Sequence, residues 1–125
     1  MKFIYVALGG AIGAMGRYAV GLIPIKSGFP ILTLVTNIIG ALIIGFIVGV
    51  VNNKGCISPN IILFLKTGLC GGFTTFSTFS LETFEMIEDK SYGYTLLYVI
   101  LSVICCIFSV AVGEKAAVVF ITAGK

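Results

Sequence analysis

The densest run of chemically useful side chains in this 125-residue chain is Gly71-Gly72-Phe73-Thr74-Thr75-Phe76-Ser77-Thr78-Phe79-Ser80. The hydroxyls of Thr and Ser can each donate one hydrogen bond. Phe76 and Phe79 lie three apart and so project from one side of a helix. Aromatic ring edges carry partial positive charge. Hydroxyls and ring edges together can hold an anion weakly, which suits passage better than capture. On its own, a phenylalanine pair at this spacing is a packing feature, and only its setting argues for more.

Other polar groups recur at helical spacing. Gly9, Gly13, Arg17 and Gly21 form one stripe, with Arg17 turned toward protein rather than lipid. Arg17 is either a tether between helix ends or a direct contact for an anion. Thr33, Asn37, Ala41, Gly45 and Gly49 form a second stripe, and the Asn37 amide either bonds a neighbouring helix or lines a pathway. Tyr98, Ser102, Cys106, Ser109 and Gly113 form a third, modestly polar one.

Enzymatic chemistry lacks its usual parts. The chain has no histidine, and it shows no CxxC pair or carboxylate cluster. Cys56, Cys70, Cys105 and Cys106 have no metal or redox spacing and are expected to be reduced thiols. A net charge of +3, dispersed along the chain, gives no footprint for nucleic acid.

The elements that position these residues are membrane spans. The composition is 58% hydrophobic and 10% charged, against about 45–50% and about 25% in soluble domains. A bilayer core needs about 20 residues of helix. Candidate spans run from about 3–23, 31–51, 59–87 and 92–119, joined by short loops into a single domain over residues 1–125. The first follows Lys2 and superficially resembles a signal peptide, but its glycines and Arg17 mark it as a retained helix. Ser58-Pro59 reads as an N-cap followed by proline at the first helical position. Four spans put both termini on one side, with Lys2, Lys54, Lys115 and Lys125, against Lys26 and Lys90 on the other. That bias toward cytoplasmic termini is shallow, as in a chain that inserts both ways.

The third span carries paired glycines and then hydroxyls at its centre, so a helix broken at Gly71-Gly72 is expected. Irregular backbone at bilayer depth survives only inside protein or against a water-filled cavity, and discontinuous helices are where transporters hold ions. Neither the first nor the second span carries an acid, and Glu82 and Glu85 fall beyond the break, near the exit of the third. A track of hydroxyls, an amide and aromatic edges suits an anion, without selecting which.

GGFTTFSTFS, Gly71 to Ser80, resembles the signature of the CrcB/Fluc fluoride channels. Gly9 to Tyr18 resembles that family's first-helix GGxxGAxxRY, and Thr33 to Gly40 its second-helix TLxxNxxG. The three motifs occur in order, and the resemblance spans essentially the whole chain. It implies an all-α integral membrane protein of the cell membrane, an antiparallel (dual-topology) dimer with two fluoride pathways. The partner is a second copy of the chain or a homologous paired subunit. By resemblance, Phe76 and Phe79 coordinate fluoride, Asn37 is the pathway amide, and Ser77 and Thr78 are hydroxyls of a polar track. Gly71 and Thr74 supply carbonyls to a structural Na⁺ on the dimer axis, Glu82 is a vestibule carboxylate, and Tyr98 and Ser102 line the pathway. Beyond Ser102 the chain departs from the pattern, with Ile104 and Phe108 where some members have hydroxyls.

Two other readings compete. A small dual-topology multidrug exporter is also a four-helix dimer, but it needs a membrane-embedded carboxylate, typically in the first helix, where this chain has Arg17. A non-conducting scaffold subunit would explain glycine stripes, but not a hydroxyl-lined break.

Overall fold

The computed structural model describes residues 1–55 and 57–124, apart from the Lys54 side chain. The expectations for the Cys56 thiol and for the Lys54 and Lys125 charges therefore lie outside the described residues. Helix α1 is Lys2–Gly21 and α2 is Ile31–Lys54. Helix α3 covers 59–73: an α-turn Pro59–Ile62, a π-helical stretch Leu63–Cys70 and a last α-turn Gly71–Phe73. Helix α4 is Phe76–Glu88 and α5 is Tyr92–Ala123.

The first, second and fourth spans are continuous helices, and α3 with α4 makes the third; each of the four is long and apolar enough to cross a bilayer. Span lengths differ modestly from expectation. Helix α1 stops at Gly21, and Pro24 ends any continuation. Helix α2 extends to Lys54 and closes on Gly55, whose φ of 63° is a left-handed cap suited to glycine. Helix α5 is 32 residues long and carries Glu114 and Lys115. Glu114 falls inside the expected 92–119 span, but it lies more than the ~20 residues a bilayer needs from the start of the helix. Ser58 does occupy the N-cap before Pro59, without a side-chain capping bond.

The main correction concerns the break. Gly71 and Gly72 are helical, Gly71 having φ −64° and ψ −36°. The chain turns extended at Thr74 (ψ 157°) and Thr75 (φ −148°, ψ 115°). Consecutive β-branched residues carry side-chain oxygens that satisfy the backbone locally, which favours a break there. Gly72 instead allows close approach, since a Cβ there would meet the backbone of Gly10 on α1.

The helices pack as two pairs, α1 against α3 and α2 against α5, with α4 resting on α5 and α2. Small residues form both seams. A Cβ on Gly68 would sit 2.9 Å from the Gly9 Cα, and one on Gly49 would sit 2.7 Å from the Ala117 Cβ. Backbones this close gain dispersion contacts in a lipid environment that offers no hydrophobic drive between helices. Ile12, Met15, Leu96 and Ile107 are among many exposed apolar side chains on the outside of the bundle. That surface is compatible with lipid or another subunit.

Candidate functional site

The site is built around the gap between α3 and α4. A chain break leaves polar backbone groups that the bilayer cannot hydrate, and here side chains from other helices take them up. The Arg17 Nε donates to the Gly72 carbonyl at 3.2 Å. The Asn37 Nδ2 donates to the Thr75 carbonyl at 3.1 Å, while its Oδ1 accepts from the Thr75 N–H at 2.8 Å. The Cys70 carbonyl accepts twice, from the Thr74 N–H at 3.0 Å and the Thr74 hydroxyl at 2.9 Å. Thr75 is the N-cap of α4, its Oγ1 accepting from the Thr78 N–H at 3.1 Å.

Two diversions follow. In a continuous helix the Gly71 carbonyl would receive the Thr75 N–H, and the Thr74 carbonyl the Thr78 N–H. Both donors go to side chains instead. Gly71 and Thr74, the pair assigned a Na⁺ by resemblance, are thus two carbonyls released from their helical donors. Neutral carbonyl oxygens suit a hard cation, so these residues fit such an ion. Gly71 also faces open space, with nothing within 4 Å of where a Cβ would lie.

Beside the break lies an open-sided cavity of about 430 Å³. Its wall brings together Asn37, Gly71, Thr74, Phe76, Phe79 and Ser102. Ser102 is buried, and its Oγ has no hydrogen-bond partner among the described residues. The Asn37 amide has two N–H donors, of which Thr75 takes one. Phe76 is 79% exposed and sits 5.6 Å, centroid to centroid, from Phe79. Phe79 in turn packs at 5.1 Å against Tyr98, the rings tilted by 53°. The combination is an unpaired hydroxyl, an amide and two phenylalanine rings in a cavity that no described carboxylate lines.

The other expected residues fall outside that cavity. Arg17 and Thr78 line a second cavity of about 400 Å³, with Thr33, Thr36 and Thr75. Ser77 is exposed, its Oγ 3.3 Å from the Thr75 Oγ1, and that Oγ1 donates to Thr78 at 2.9 Å. Glu82 accepts from the Thr33 hydroxyl and the fully buried Tyr98 hydroxyl, each at 2.6 Å. Tyr98 thus joins Phe79 to Glu82, with Phe29 edge-on at 5.5 Å. Cys70, Cys105 and Cys106 are free thiols, and Cys70 and Cys106 line the first cavity.

Sequence reasoning passed over Thr75 and Lys66. Thr75 is the hinge of the hydrogen-bond network, and it looked like one hydroxyl among several. Lys66 also lines the first cavity, and the available signal was a cation within an apolar span, which is uncommon without a task.

A model of the "CrcB-like protein, Camphor Resistance (CrcB)" family matches residues 4–114. The chain belongs to the CrcB family. Among CrcB relatives, it is 42% identical over 120 residues to a fluoride-specific ion channel FluC of Methanococcus maripaludis, covering 95% of this chain and 98% of that one. It is 42% identical over 117 residues to the protein of that name from Clostridium perfringens, covering 91% of each. One from Flavobacterium psychrophilum is 43% identical over 107 residues, covering 82% of this chain and 86% of the other. The matched segment reaches into all four spans and contains the broken helix, so this CrcB member is a multi-pass protein of the cell membrane.

Proposed function

We propose that this chain is a fluoride-selective channel that lets fluoride leave the cell passively, limiting its toxicity. The observation that carries the reading is the Ser102 hydroxyl, buried and unpartnered in the wall that also holds Phe76, Phe79 and Asn37. An orphaned buried donor has a free-energy reason to meet an acceptor, and ring edges favour an anionic one. Fluoride, the smallest halide and a strong acceptor, matches a track of isolated donors. The printed names of the relatives, fluoride-specific ion channels, support the same choice. A channel role rather than an enzymatic one fits a cavity whose described lining holds no histidine or carboxylate to activate a nucleophile.

In this reading, fluoride passes between the Phe76 and Phe79 edges, exchanging water for the Asn37 N–H and the Ser102 hydroxyl. Ser77 and Thr78 continue the polar track, Tyr98 orients Phe79, and Glu82 and Arg17 hold the vestibule and the break. The working unit is an antiparallel dimer, a second copy or a paired homologue covering the open cavity wall around Gly71. The Gly71 and Thr74 carbonyls of both subunits would hold a Na⁺ at the centre, adding a fixed positive charge beside the anion path.

The test is flux from liposomes containing the purified protein, read with fluoride and chloride electrodes. Fluoride efflux far faster than chloride, without a proton gradient, is expected. Equal rates, or efflux only when a proton gradient is imposed, reject a passive fluoride channel. Replacing Na⁺ by a large organic cation on both sides is expected to weaken flux. Termini labelled on both faces of the membrane are expected for a self-assembled antiparallel dimer.

A further inference from the structure

Lys66 is the charged residue in the wall of the 430 Å³ cavity; the rest of that wall is neutral. It lies seven residues into α3, about 10 Å along the axis from Pro59 at ~1.5 Å per residue. The side chain is exposed within the single chain and belongs to the π-helical stretch Leu63–Cys70. Ile44, Val103, Ile107 and Val110 form much of the remaining surface. Low-dielectric walls focus the field of a charge into the space they enclose. π-Helical turns inside α-helices concentrate at functional positions, and a lysine in an apolar span needs water, a partner or an anion.

We infer that Lys66 is the anion-collecting residue of the pathway. It raises the local concentration of small anions at the cavity mouth before they reach the Phe76 and Phe79 edges. The inference rests on the channel reading and adds to it a residue that governs entry rather than selection. Selection belongs to Asn37, Ser102 and the rings, which Lys66 does not replace. An ammonium is a strongly hydrated point charge, suited to attracting an anion that keeps part of its water. Its influence is therefore electrostatic and depends on salt.

The experiment compares wild type with Lys66→Met, Lys66→Gln and Lys66→Arg in phosphatidylcholine liposomes and, in parallel, in liposomes that also contain anionic phosphatidylglycerol. Fluoride is held low and constant, and ionic strength is set with an impermeant organic salt. The Debye length falls from about 30 Å at 0.01 M to about 3 Å at 1 M. At the low setting, K66M and K66Q are expected to pass fluoride roughly 3- to 10-fold more slowly than wild type, within the range of electrostatic steering. At the high setting the difference should shrink to within about 2-fold as the charge is screened. K66R should follow wild type throughout. A deficit of the same size at every ionic strength marks a packing role and overturns the inference, as does wild-type flux in K66M and K66Q. A deficit confined to vesicles with anionic lipid makes Lys66 a lipid anchor and overturns it too. Should the variants lose flux, dimer elution and thermal unfolding identical to wild type separate loss of charge from misfolding. Wild-type protein that passes no fluoride rejects the channel reading itself, whereas conducting wild type with salt-indifferent variants rejects Lys66 alone.

Discussion

Asn37 grips both backbone polar groups of Thr75, giving one N–H to its carbonyl at 3.1 Å and accepting its N–H at 2.8 Å. Helix α2 thereby completes a break that lies in the third span. The same amide keeps a second N–H for the neighbouring cavity, so one side chain serves architecture and pathway together.

Asn37→Ala should therefore fail in two ways. Leaving the Thr75 N–H and carbonyl unpaired is expected to destabilise the fold by about 2–6 kcal/mol, at about 1–3 kcal/mol per group. Asn37→Asp keeps the acceptor for the Thr75 N–H but loses the donor and adds negative charge. It should fold better than the alanine variant yet pass less fluoride. Denaturation in detergent and liposome flux check the two expectations separately, and wild-type flux in Asn37→Asp would contradict a pathway role for the amide.

Ser102→Ala removes a buried hydroxyl that bonds nothing among the described residues. Relieving an unsatisfied donor should leave stability unchanged or raise it by up to about 1 kcal/mol. Fluoride flux should fall all the same. Loss of stability together with loss of flux would instead assign Ser102 a structural bond.

Phe76→Ile and Phe79→Ile both remove a ring edge and keep apolar bulk. Each is expected to reduce fluoride flux more than about tenfold, a change of about 1.4 kcal/mol or more in barrier height. Their stabilities should differ. Phe79 packs against Tyr98 in a tilted aromatic pair, so its loss forfeits about 0.5–1.5 kcal/mol of aromatic pairing. Phe76 is 79% exposed and should cost the isolated subunit little. Near-normal flux in both well-folded variants would reduce the pair to packing residues.

Gly13 and Gly71 offer a test of assembly. A Cβ at Gly13 would run into the backbone of Leu69 and Phe73 on α3, so Gly13→Ala should disrupt the subunit by roughly 1–3 kcal/mol or more. Gly71 is helical and meets nothing within 4 Å in the single chain. Gly71→Ala should therefore leave the subunit fold intact, and its effect is read at the dimer alone by cross-linking and size-exclusion chromatography. Loss of the dimer with retained helicity is the expected result, and an intact, fully active dimer would count against a partner packed at Gly71.

Much of this protein is legible from one dimension. Four spans follow from the length of apolar runs against bilayer thickness, and neighbouring helix faces follow from small residues spaced four apart. The Phe76–Phe79 pair follows from helical spacing alone. The position of the break does not. Glycine's weak helix propensity points to Gly71-Gly72, but both residues are helical, with Gly72 packed against Gly10 of α1, and the break falls at Thr74-Thr75, where Asn37 and the Thr75 hydroxyl meet the backbone. Propensity is a property of a segment, whereas the satisfaction of a buried N–H depends on which distant side chain arrives beside it. For the same reason, Ser102's unpaired hydroxyl, Glu82's grip on Thr33 and Tyr98, and Lys66's place in the cavity wall were decided by tertiary packing, which alone sets who stands next to whom.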